Sequence, residues 1–366
     1  MAWVGISTRD DSRFSPTGLG SDAGRSRLLA DADAPGALLS HGTLMIEAVL
    51  PSENRPITLL AFKRHGAWET SFVLRALHGR GIVLVIEQAG RVLHSTLTHL
   101  SDTHDETVRI SYSWDAPALL GTLSLEVVGA PQTLIVPVTA PPPFLLSDLR
   151  AVFSDARHRT MDPETTFIAL SDEIEPVGPQ PSLSLHAHVL TETGCVAAGR
   201  LKVGDKVRAA SGRLVPILAL LRRTVPALGR FAPVLLRAPY FGLREDILVA
   251  PNQRLVIGGS DVEYLFGEEE VLVPARHLIN GVAAIQAAGS PTVTWAQIVL
   301  PAHEAIHISG TQMESLFLGR IRRKPELLTH SLLSGIDRAK LPEHANPSHL
   351  VLRQFEAITL AHRRAA

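Results

Sequence analysis

A mainly β protein is predicted: an N-terminal β-sandwich of jelly-roll type, a second all-β domain and a C-terminal helix. Three observations carry the prediction. About eight short β-type segments run from Thr43 to Val138, mostly separated by Gly, Pro, Asp, Ser or Asn. A second series of short strands runs from about Leu183 to Gly319, and the last twenty or so residues change to helical spacing. Short strands at this spacing fit a sandwich or jelly roll.

The elements follow in order. Residues 1–38 are rich in Gly, Ser, Asp and Arg without periodicity, and read as an extended N-terminal arm. Residues 39–140 form the sandwich. Its alternation is clearest in Val108-Arg-Ile-Ser-Tyr-Ser-Trp114 and Thr122-Leu-Ser-Leu-Glu-Val127, where one face is apolar and the other polar. Gln88-Ala-Gly-Arg91 fits a tight hairpin, since Gly90 takes a positive φ without steric cost. Residues 141–181 read as a connector, opened by Pro141–Pro143, with a short helix over Leu146–Phe153. Residues 182–320 are the second β-domain. In the tail, 321–366, Asn346-Pro347 is a helix-start signal, and Val351, Phe355 and Ile358 recur at helical spacing.

Composition bounds the function. The 366 residues are 45% hydrophobic, with 35 basic and 36 acidic side chains, enough apolar content for a core and a formal net charge of −1 that gives nothing to attract nucleic acid or anionic lipid. One cysteine, Cys195, excludes an internal disulfide and any cysteine-rich zinc fold. No signal-peptide pattern opens the chain. The greasiest stretch, Thr133–Leu146, is interrupted by Pro137 and Pro141–Pro143, so no membrane span is expected. Localisation is left open between the cytoplasm and export by a route that needs no signal.

Within the second domain an ordered series of motifs appears: Gly194, then Leu201-Lys-Val-Gly-Asp205-Lys-Val207, Arg244-Glu-Asp-Ile-Leu-Val-Ala-Pro251, Val271-Leu-Val-Pro-Ala-Arg-His-Leu-Ile-Asn280, His303-Glu304 and Glu314-Ser315. The series resembles a bacterial Hint (hedgehog/intein) domain across roughly 170–320. The sandwich is similar, more weakly, to laminin-G or concanavalin-like domains. The resemblance implies a compact, all-β, horseshoe-like disc whose chemistry is self-cleavage, in which a first Cys or Ser attacks the carbonyl before it. Counting back from Gly194 and Gly204-Asp205, that position is Ser182, after Pro181. Catalysis there needs an activated nucleophile, a proton-transfer group and donors for the oxyanion.

The resemblance also implies where the machinery has been lost. The family's Ser-Pro-x-His reads Ala250-Pro251-Asn252-Gln253 here, its Gly-Thr reads His186-Ala187, and a His commonly preceding His303-Glu304 reads Gln297. Glutamine exchanges no proton near neutral pH, so a contribution of roughly 10²–10⁴-fold is forfeited. Ser182 and His303 are therefore the candidate catalytic residues of a degenerate Hint-like domain, both expected to be vestigial.

Other signals have plainer readings. His303-Glu-Ala-Ile-His307 matches the zinc-protease HExxH pattern, which needs a helix; in a strand the two histidines lie about 13 Å apart. His186 and His188 share a strand face, but no carboxylate or cysteine stands at a recognisable spacing. Cys195 reads as a small half-buried residue. Ser101–Glu106 is an acidic loop that suits a solvated turn better than calcium. Trp68, Tyr112 and Trp114 suit a core better than a sugar platform, and Arg320–Lys324 a solvated linker.

These readings converge on a non-enzymatic binding or structural protein, within a surface or phage-like assembly, whose sandwich takes a protein or glycan partner. No cofactor, metal or nucleic acid is called for. The alternative is an autoproteolytic protein cleaving at Pro181–Ser182 by an N-to-O acyl shift.

Overall fold

The computed structural model describes residues 2–20, 34, 36–50, 55–77, 81–98, 106–130 and 132–365. The chain divides into two compact units, Met1–Gly178 and Pro179–Ala366. Both are mainly β, as the strand-length segments require. Among the described residues no helix is long and apolar enough to cross a membrane.

The first unit holds a seven-stranded antiparallel sheet. Its order is Thr133–Thr139, Leu120–Val127, Glu106–Asp115, His41–Leu50, Thr165–Ser171, Trp3–Ser7, Ser12–Phe14. A four-stranded meander, Ile57–His65, Glu69–Ala76, Gly81–Gln88 and Arg91–Thr98, supplies a second layer. Alternate residues of both, among them Ile46, Ile110, Tyr112, Trp114, Phe62, Phe72 and Ile86, fill one common core. The hairpin at Ala89-Gly90 has φ of 49° and 77°, so both central residues are left-handed, as a tight hairpin turn demands.

Two boundaries differ from the sequence reading. Residues 1–38 include a fully buried strand, Trp3–Ser7, not only an arm. Its hydrogen-bond partner is Thr165–Ser171, which lies in the segment read as a connector and sits next to His41–Leu50 in the sheet. Strands five and seven residues long carry little periodicity, and their pairing spans more than 150 positions. The expected helix is present at Leu146–Ser154. It packs its Phe153 so closely on Gly5 that a Cβ there would lie 2.7 Å from the ring.

The opposite face of the large sheet is polar and also buried. Arg109 donates to Glu47 at 2.9 Å, with both side chains almost wholly enclosed. Thr43 Oγ1 lies 2.9 Å from Ser113 Oγ, and residues 172–178 run over this face, anchored by the Gly178 N–H to Glu126 Oε1 at 2.8 Å.

The second unit contains a six-stranded sheet ordered Ala219–Pro226, Thr292–Val299, Leu183–Ser184, Ile247–Val249, Val234–Leu236, Ala284–Gln286. A larger sheet runs Leu214–Pro216, Lys206–Arg208, His188–Thr191, Ala305–Ile308, Thr311–Glu314, Arg254–Gly258, Glu270–Pro274, Leu350–Val351. Gly194–Ala197 pairs on His188–Thr191. The final pairing, of Val271 and Leu272 with Leu350 and Val351, is parallel.

The C-terminal helix exists but begins at Gln354, not at the Asn346-Pro347 signal. The backbone before it is committed elsewhere: Ser348 N–H donates to His303 and Leu352 N–H to Leu272 O. Ala357 and Leu360 are the buried helix positions, whereas Phe355 and Ile358 are exposed.

Candidate functional site

Leu183–Ser184 is a two-residue strand inserted between Ile247–Val249 and Thr292–Val299, with Leu183 facing Val249 on one side and Ala296 on the other. This insertion fixes Ser182 at the strand's start, where its carbonyl accepts the Ala250 N–H at 2.8 Å. Ala250–Gln253 is a turn closed by Gln253 N–H to Ala250 O at 2.9 Å, which brings Gln253 against Ser182. Gln297 arrives from Thr292–Val299.

The three side chains form a closed triangle. Ser182 Oγ donates to Gln253 Oε1 at 2.6 Å, while Gln297 Nε2 donates to Ser182 Oγ at 3.0 Å and to Gln253 Oε1 at 2.9 Å. The other end of Gln253 is held too, its Nε2 donating to the carbonyls of Arg254 at 3.0 Å and Glu314 at 3.2 Å. Ser182 is 8% exposed, Gln297 1% and Gln253 not at all. In this dry setting each polar atom is matched by another, which keeps the burial affordable. The hydroxyl proton points at an amide oxygen, a group that accepts a hydrogen bond but not a proton.

His303 belongs to a different network. Its Nδ1 accepts the Ser348 N–H at 2.9 Å, and its Nε2 faces Glu314 Oε2 at 3.2 Å. The same carboxylate oxygen receives Arg254 Nη1 at 3.1 Å, and the imidazole stands edge-on to Phe317 at 5.1 Å. Neither ring nitrogen reaches Ser182, so the two candidate residues do not meet. Glu314 connects the networks, its carbonyl bonded to Gln253 and its carboxylate beside His303.

The remaining candidates resolve individually. His303 lies in a loop and His307 on the strand Ala305–Ile308, which lacks the helical face that HExxH zinc ligation needs. Among the described residues no three His, Cys, Asp or Glu side chains group as metal ligands. His188 has a carboxylate after all: its Nδ1 is 2.5 Å from Glu245 Oε1, which Ser309 Oγ also reaches at 2.8 Å. Those two bonds hold the Glu245 carboxyl below its usual range. The sequence hides this partner because it lies 57 positions away. Cys195 is exposed rather than half-buried. Tyr112 and Trp114 stack at 5.5 Å within the core. Arg323 is no free linker residue but is forked onto Glu343 at 2.7–3.1 Å. The acidic loop Ser101–Asp105 lies outside the described residues.

Comparison with known proteins now bears on this geometry. Residues 181–320 match the Hint domain. The Hint segment therefore opens at Pro181-Ser182 and encloses Gln253, Gln297 and His303. Among solved structures the chain is similar to the MchDnaB-1 intein, at 17% identity over 36% of this chain and 98% of that one, with a TM-score of 0.26. It is similar to the gp41-1 intein at 8% identity over 37% and 98%, TM-score 0.24. A third similarity is to the enzymatically active domain of bacteriophage CBA120 tailspike protein 2, at 10% identity over 48% and 23%, TM-score 0.23. No curated protein matches the chain.

Proposed function

We propose that the chain is a non-enzymatic binding or structural protein built on a Hint domain that no longer cleaves itself. One observation carries the reading: the Ser182 hydroxyl is bonded to Gln253 Oε1 and Gln297 Nε2, two amide groups. An N-to-O acyl shift moves the Pro181 acyl group from the Ser182 nitrogen to its oxygen. The oxygen must give up its proton and the nitrogen must gain one. Neither glutamine transfers a proton at neutral pH, and His303, its Nδ1 bonded to the Ser348 N–H and its Nε2 facing Glu314, makes no hydrogen bond to Ser182. The Hint domain then serves as a scaffold, and the N-terminal unit, read as a laminin-G-like sandwich, takes the protein or glycan partner.

The intact mass of the purified chain, after incubation with and without a thiol or hydroxylamine, tests this. A single full-length mass is expected. Two fragments meeting at Pro181–Ser182 would instead establish a self-cleaving protein and overturn the proposal.

A further inference from the structure

Next to the Ala250–Gln253 turn stands a further cation. Arg276 lies on the single helical turn Ala275–His277, which follows the strand Glu270–Pro274. Its backbone is fixed, because Arg276 N–H donates to Pro251 O at 3.0 Å and Ala275 N–H to Gln253 O at 2.8 Å. The guanidinium reaches the side-chain oxygen of Asn252, a neutral group, through Nη1. Among the described residues no carboxylate lies within ion-pair distance of it. Its charged neighbours are cations: Arg230, on the turn Gly229–Phe231, and Arg254, whose own charge is answered by Glu314. Burial and these two like charges pull the Arg276 guanidinium down to about 10. Burial, then Arg276 itself and Arg230, push the adjacent His277 imidazole down to about 4.

Buried charges are ordinarily paired, and a guanidinium presents five N–H donors in a fork that suits two oxygens of one anion. Asn252 engages one end of that fork. Arg276 is also only partly closed off, being neither fully buried nor exposed. We infer that Arg276, with Arg254 and His277 beside it, forms a binding site for an oxyanion, the phosphate or carboxylate group of a ligand or partner. The site stands apart from self-cleavage and is present whether or not Ser182 reacts.

The experiment titrates the full chain with sodium phosphate and, separately, sodium acetate against sodium chloride at matched ionic strength. It follows the unfolding temperature and the His277 imidazole resonances. Saturable stabilisation with movement of the His277 resonances is expected. Saturation by phosphate alone assigns a phosphate site, and equal saturation by acetate assigns a carboxylate site. Arg276→Gln should weaken the response about tenfold or more, while Arg363→Gln, on the C-terminal helix, should leave it unchanged. Asn252→Asp guards against a folding defect, because it supplies an internal carboxylate to Arg276. That variant should unfold at a higher temperature without phosphate and lose its response to it. No saturable effect beyond chloride, or an undiminished response in Asn252→Asp, overturns the site.

Discussion

Ser182 and Gln253, 71 positions apart, meet in a 2.6 Å hydrogen bond in which the serine is the donor and a side-chain amide the acceptor. The direction of that bond matters more than its length. A serine nucleophile reacts when a base withdraws its proton, and here the proton is directed at a group that cannot hold it. The bond also ties the start of the Hint segment to the Ala250–Gln253 turn.

On the proposed reading, cleavage should appear once an imidazole replaces the amide at position 253. Gln253→His, combined with Ser182→Cys to supply a more acidic nucleophile, should yield fragments that meet at position 182. A gain of roughly 10²–10⁴-fold in cleavage rate over Ser182→Cys alone is expected from a working acid–base group. Mass spectrometry over days reads it. Equal rates in the two variants would count against a role for an imidazole at position 253.

Stability should depend unequally on the members of the triangle. Ser182→Ala leaves Gln253 Oε1 still bonded to Gln297 and should cost about 1 kcal/mol. Gln253→Ala strips partners from Ser182, Gln297 and the carbonyls of Arg254 and Glu314, and should cost about 3 kcal/mol or more. Denaturant unfolding of the two variants gives the ratio directly.

Acid should weaken the fold in a window to which His277 contributes, together with His307 and His344, whose imidazoles burial also holds below the ordinary value. Burial, then Arg276 and Arg230, hold the His277 imidazole down to about 4, below the ordinary 6.5. Between those values the unfolded chain binds the proton and the folded chain does not. The His277 contribution is therefore intact above about pH 6.5 and lost toward pH 4, with solvent screening of the half-buried ring keeping the slope below the limit of about 1.4 kcal/mol per pH unit for one proton. His277→Asn should flatten that slope. Asp155, held at about 2 by Arg157, acts only at lower pH and does not blur the window.

In the first unit the most damaging polar substitution should be Glu47→Ala. It removes the 2.9 Å partner of an almost fully enclosed Arg109, whose guanidinium keeps the more distant Glu126 carboxylate at 3.9 Å, and should cost about 3 kcal/mol. Gly5→Ala should cost about 1–3 kcal/mol, because the new methyl meets the Phe153 ring. Calorimetry of both variants checks the order.

How much of this was legible in the sequence differs from one element to another. The sandwich strands were plain because alternation is local: Glu69–Ala76 and Gly81–Gln88 bury every second residue as their letters suggest. The positions Ser182, Gln253 and Gln297 were picked out by register against the Hint motifs, and they meet in space. That the two amides bond to each other as well as to the serine was not readable. Trp3–Ser7 was missed because its partner is some 165 residues distant and Gly5 breaks its pattern. The late start of the last helix was missed because Asn346-Pro347 has the right letters, while the chain after it is held extended by His303 and Leu272. Glu314 carries no motif that tells its two roles, bridging Gln253 through its backbone and His303 through its carboxylate.

The parallel pairing of Leu350 and Val351 with Val271 and Leu272 has a consequence for solubility. Glu270–Pro274 pairs with Arg254–Gly258 on one flank, and the two tail residues cover the other. Remove them, and a run of Val271, Leu272 and Val273 presents open N–H and C=O groups, the kind of border on which a second chain adds strand upon strand. Two residues near the C-terminus thus act as a selvedge, finishing the fabric of the sheet so that it does not continue into the next molecule.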